Sequence, residues 1–125
     1  MKITIENCKC PSWNEFNRSV HWAVRAVKRQ ELQDFVYEAI IKQFKGSFRR
    51  IAVQIKKPIQ VSIEAHFKNN HRRDPDNLFV KPILDALVKY GLFYDDNGDV
   101  IESLTLRAKR KMPSDQIIIS INEKL

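Results

Sequence analysis

The chain has 125 residues, 43% of them hydrophobic, with only three glycines and five prolines; this suits one domain over residues 1–125 with a single core and is too apolar for a disordered polymer. Its 22 basic and 15 acidic side chains leave a formal charge of +7, which favours a polyanionic partner, either nucleic acid or an anionic membrane. No apolar run approaches the roughly 18–20 residues of a membrane span, "MKITIENCKC" lacks the apolar stretch of a signal peptide, and no basic amphipathic helix exposes large apolar residues, so the expectation is a cytoplasmic protein without a membrane partner.

In chain order, "MKITIE" alternates apolar and polar residues and reads as a short strand. Cys8 and Cys10 follow; a C-x-C bridge is strained and no second cysteine pair completes a zinc site, so free thiols in a reducing compartment are expected. "PSWNEFNRS" carries turn and cap chemistry. From Ser19 to about Phe44 the pattern is helical, with one apolar stripe on Val20, Val24 and Val27 and another on Leu32, Phe35, Val36, Ala39, Ile40 and Phe44. The intervening "KRQE" either shifts the stripe or breaks the helix, and Gly46 with Ser47 is a plausible stop. A basic cluster, "RRIAVQIKK", precedes "IQVSIEAHF", whose strict period of two predicts a strand with Ile59, Val61, Ile63, Ala65 and Phe67 on one face. "KNNHRRDPD" is a polar connection, "NLFVKPILDALVKYGLF" a helix with Gly91 near its end, and "YDDNGD" a turn. "VIESLTLRAKRK" and "QIIISINEK" are two further strands, expected to pair as an antiparallel hairpin around "MPSD". This order predicts an α/β domain of α+β type: a mixed sheet of about four strands packed with two or three helices.

Chemistry concentrates in "HRRDPDN". A residue before proline is pushed into an extended conformation, and extended residues two apart point the same way. Asp74 and Asp76 can therefore converge, although Asp76 also suits a helix cap. A second acidic group, Asp95 and Asp96, follows the helix, and a returning strand can bring either one back beside the first pair. Three carboxylates at one point require protonation or a cation, and hard oxygen ligands suit Mg²⁺ or Mn²⁺. An EF-hand is excluded: counted from Asp95, the sixth position is Val100 rather than glycine and the twelfth is Leu106 rather than glutamate.

"RRDPDNLFVKPILDALVKYGLFYDD" resembles the signature region of the RusA-type Holliday-junction resolvases. D-x-D-N-L, D-x-L and G-(x)₃-D-D agree in order and spacing between Arg72 and Glu102. The resemblance implies a RusA-like fold and a small, dimeric, magnesium-dependent endodeoxyribonuclease that cuts four-way DNA junctions. It places the metal-binding acids on Asp74, Asp76 and Asp96, with Asp95 as the fallback, and the catalytic lysine on Lys81. Lys81 stands five residues after Asp76, where the family pattern has four. We expect the extra residue to be absorbed between Asn77 and Pro82, by a π-bulge or a kinked first turn at a mid-helix proline. The plainer role for Lys81 is a surface pair with Asp85, four residues on.

Asp85 and Glu102 are candidates for the outer shell of such a site, and Glu64 and His66 lie on the polar face of the preceding strand. Phosphate contacts are expected from Lys68, Arg72, Arg73, Arg107, Lys109, Arg110 and Lys111. A junction nicked at two symmetric places matches a two-fold homodimer. The competing readings are a non-catalytic or degenerate DNA-binding relative, and a general metal-dependent phosphodiesterase, which needs no basic clusters beside its acids.

Overall fold

Alternation decides the sheet. In the strand Ile59–His66 (β2), Ile59, Val61, Ile63 and Ala65 are buried on one side, while Gln60, Ser62 and Glu64 turn away. The computed structural model describes residues 1–17, 22–44 and 58–123. The predicted helix start at Ser19, Val20 of its first stripe, the stop at Gly46 and Ser47, and the basic cluster at 49–57 lie outside the described residues.

Among the described residues, four strands form one mixed sheet: Lys2–Glu6 (β1), β2, Ile101–Lys109 (β3) and Gln116–Glu123 (β4), in the order β1-β4-β2-β3. The hairpin expected between the last two strands is not formed. β4 inserts antiparallel between β1 and β2, and β3 lies parallel to β2 at the edge. Burial explains the choice: Ile117, Ile119 and Ile121 need cover and take a central place, whereas most of β3 is exposed and tolerates an edge.

Among the described residues, three helices pack with the sheet: Trp13–Asn17 (α1), Trp22–Phe44 (α2) and Lys81–Lys89 (α3). Ser12 caps α1, its Oγ accepting from the amide of Glu15 at 3.1 Å. α2 runs unbroken through "KRQE". Its second half packs through Leu32, Val36 and Ile40, but Val24, Val27 and Phe35 of the expected stripes are exposed. α3 buries Ile83, Leu84, Ala86 and Leu87 in the same core as the apolar face of the sheet.

α3 begins four residues later than the pattern predicts. Pro75–Asn77 form a 3-10 turn, and Leu78–Val80 are not helical. The cause is a competing partner: the Phe79 amide donates to the Pro11 carbonyl at 2.8 Å, and Leu78 bridges Ser12. Phe79 also packs its ring 4.2 Å from Trp13 and 4.3 Å from Phe16. The extra residue before Lys81 is thus absorbed in a non-helical link of buried residues, Leu78–Val80, not in a π-bulge. Pro82 falls in the first turn of α3, where its missing N–H leaves no bond unmade. At the other end Gly91, at φ 85°, closes the helix: its amide donates to Val88 and that of Leu92 to Leu87.

Cys8 and Cys10 are free and buried. Burial pushes the Cys8 thiol up to about 11 and the Cys10 thiol up to about 12, so neither supplies a ready thiolate. Among the described residues, no helix is long and apolar enough to cross a membrane.

Candidate nucleic-acid interface

The carboxyl ends of the parallel pair β2 and β3 carry the cationic cluster. At this end of an open sheet the chain leaves the ladder and its side chains are available to a ligand. The two exits are tied together. The Lys111 amide donates to the Asn69 carbonyl at 2.9 Å, and the Met112 amide to the Phe67 carbonyl at 3.0 Å. The Lys68 amide donates to Asp115 Oδ1 at 2.8 Å. Lys111 takes a left-handed backbone, φ 57°, to make this turn.

Between these exits lies a groove of about 250 Å³ lined by Phe67, His71, Arg72, Arg73, Lys109 and Arg110, with Ala108 at its floor. Arg73 is fixed by two contacts: its guanidinium lies 3.8 Å from the Phe67 ring centre, and Nη1 donates to Asn69 Oδ1 at 3.0 Å. Arg110 Nη1 donates to the Asn70 carbonyl at 3.4 Å. Of the seven cations expected to contact phosphate, Arg72, Arg73, Lys109 and Arg110 line this groove. Lys68, Arg107 and Lys111 are exposed nearby in sequence but do not line it.

Asp74 and Asp76 follow the groove arginines directly. Asp74 is extended, φ −91° and ψ 131°, as a residue before proline must be, and it makes no side-chain cap bond. Asp76 sits within the 3-10 turn rather than at the cap of α3. Both are exposed, and the turn that carries Asp76 packs against β3.

Lys81, the first residue of α3, reaches only one of the three predicted acids. Its Nζ lies 2.6 Å from Asp96 Oδ2 and 3.0 Å from Asp85 Oδ1. The catalytic assignment and the plainer i, i+4 pair therefore describe the same amine. The structure separates the Asp doublet. Asp95 is used by the turn, its oxygens accepting from the Asp96 amide at 2.8 Å and from Asn97 Nδ2 at 2.9 Å. Asp96 is the one that faces Lys81. Glu102 stands where the β2–β3 register slips, so a bulge sets its direction, and it is exposed.

Among the described residues, no three acidic, histidine or cysteine side chains gather closely enough to hold a metal ion. The donor types fit a hard divalent cation, but Asp74 and Asp76 do not close a cage with Asp96, whose counter-charge here is an ammonium group.

That ion pair has a pH signature. The hydrogen bond from Lys81 holds the Asp96 carboxyl below the usual aspartate range, and the bonds to Asp96 and then Asp85 hold the Lys81 ammonium above the usual lysine range. Stabilisation from Asp96 is present above the ordinary aspartate pKa of about 3.9 and fades as pH falls through its lowered value. That from Lys81 is present below the ordinary lysine pKa of about 10.4 and fades as pH rises through its raised value. Urea unfolding of the wild type and Asp96→Asn over a pH series should show a difference that is flat through neutrality and shrinks at both extremes. A difference that changes between these limits would mean that other groups control the pair.

Sequence reasoning missed His71 in the groove and the partners that Glu64 and His66 find behind it. Glu64 Oε1 lies 2.6 Å from Lys109 Nζ, and its Oε2 lies 3.4 Å from His66 Nε2. His66 Nδ1 is 3.0 Å from the side-chain nitrogen of Gln116. The alternation of β2 puts Glu64 and His66 on one face, but only the parallel register with β3 brings Lys109 to them.

No family model matches the chain, and no curated protein matches it.

Proposed function

We propose that the protein is a divalent-metal-dependent endodeoxyribonuclease that acts as a cytoplasmic homodimer and resolves four-way DNA junctions by paired symmetric cuts. The observation that carries this reading is the cationic groove at the ends of β2 and β3, with Asp74 and Asp76 immediately following its arginines. The groove suits a phosphate backbone: Arg73 is pre-positioned by Phe67 and Asn69, while Arg72 is exposed to meet a ligand. Carboxylates beside a phosphate site repel the ligand unless a cation intervenes, and the resemblance to junction resolvases supplies the same requirement. Mg²⁺ or Mn²⁺ on Asp74, Asp76 and Asp96 belongs to the proposal on the strength of donor type and of the resemblance. A two-fold dimer would present paired sites to a two-fold junction.

Incubation with a synthetic four-way junction and a matching linear duplex, with Mg²⁺ or EDTA, tests the reading. Symmetric nicks in the junction alone are expected, absent with EDTA and reduced roughly 100-fold or more by Asp76→Asn. Equal cutting of both substrates would reduce the activity to that of a general phosphodiesterase. One observation favours a second reading, a DNA binder without chemistry: the three acids do not gather among the described residues. Junction binding without cleavage in Mg²⁺ or Mn²⁺ would select it.

A further inference from the structure

Glu64 is an anion placed behind a cationic surface, and it is not idle there. Its Oε1 lies 2.6 Å from the Nζ of Lys109, which lines the groove. The hydrogen bond from Lys109, with His66 nearby, holds the Glu64 carboxyl below the usual glutamate range, so it is charged at neutral pH. The side chain of Gln116 lies 3.0 Å from His66 Nδ1 and holds the ring in place. Nε2 lies 3.4 Å from Glu64 Oε2 and is buried without a hydrogen-bond partner. His66 itself is 6% exposed. Gln116, His66, Glu64 and Lys109 thus lie side by side across β4, β2 and β3, and the contact at 2.6 Å to Lys109 is what holds Glu64 at the groove.

We infer that Glu64 is a specificity-determining residue that masks Lys109, so that a phosphate backbone entering the groove meets an ion pair instead of a free cation. The inference rests on the groove being a nucleic-acid surface. A lysine with a carboxylate at contact distance adds little net potential outside the pair. A phosphate drawn to that lysine must also approach the carboxylate, and like charges brought together are a device for rejecting ligands that lack compensating contacts. The mask weakens binding to any unbranched duplex that offers phosphates and nothing more. Arg72, Arg73 and Arg110 are left as the unmasked cations of the groove.

The salt dependence of binding to a short fluorescein-labelled linear duplex, followed by anisotropy with EDTA present, reads the mask directly, because each neutralised phosphate adds roughly 0.9 to the log–log slope. Glu64→Gln, which keeps the size and a hydrogen-bonding tip, should tighten binding at low salt and steepen the slope by roughly 0.9. Lys109→Gln alone should leave the slope unchanged, and Glu64→Gln with Lys109→Gln should return it to the wild-type value. A purely structural role for Glu64 would move stability but not the slope. Arg72→Gln is the control for the groove and should lower the slope by roughly 0.9. If Arg72→Gln lowers the slope while Glu64→Gln does not raise it, or if Lys109→Gln alone lowers it, the mask is overturned and the groove reading stands. If neither Arg72→Gln nor Glu64→Gln moves it, both fail together.

Discussion

Replacing Ile119 with alanine is expected to destabilise the protein by about 2–5 kcal/mol, a large part of the roughly 5–15 kcal/mol that holds a domain of this size together. Ile119 lies in β4, opposite Ile3 of β1 on one side and Ile63 of β2 on the other, and all three are fully buried. Because the backbone on both sides is held in a hydrogen-bonded ladder, the neighbours cannot close over the missing methyl groups, and the cavity persists. Leu104, 40% exposed on the edge strand β3, is the control, and its alanine variant should change stability by less than about 1 kcal/mol. Urea unfolding gives both numbers, with the midpoint falling and the m-value constant. Similar losses for the two variants would mean that β4 is not the central strand.

Lys81→Met should reduce junction nicking roughly 100- to 1000-fold while leaving stability and DNA affinity nearly unchanged. The two halves of this expectation come from different observations. Lys81, Asp85 and Asp96 keep 56%, 40% and 21% of their side-chain surface in solvent, and ion pairs so exposed contribute at most about 1 kcal/mol to folding. Lys81 does not line the groove, so the phosphate contacts made by the arginines survive its loss. Methionine preserves the length and the apolar stem and removes only the charge. A fall in nicking without a fall in melting temperature or anisotropy signal assigns Lys81 to chemistry. Wild-type nicking would leave it as a surface partner of Asp85.

What could be read from the sequence was what depends on neighbours along the chain. The period of two from Ile59 to Phe67 fixes which residues face the core, and that burial is observed. The start of α3 was misread because the pattern cannot register that the Phe79 amide is claimed by Pro11. The hairpin expected of β3 and β4 failed for the same kind of reason: adjacency in sequence favours pairing, but burial of three isoleucines sent β4 between β1 and β2. In the candidate site, the resemblance to the resolvase signature assigned Lys81 and Asp96, which do meet. It placed Asp74 and Asp76 beside them, and they do not join. The link from Glu64 to Lys109 was beyond reach because it depends on the register of two parallel strands joined by a helix.

The strand order has a consequence for how the protein is made. β4 reaches residue 123, yet it supplies the neighbour that both β1 and β2 require. Among the described residues β1 pairs only with β4, so until that stretch has been synthesised β1 lacks its ladder and one edge of β2 stays bare. The earlier strands wait as unsatisfied backbone, exposed to wrong partners, and the sheet then closes between segments far apart in the sequence. A growing chain of this kind would make heavy demands on chaperones.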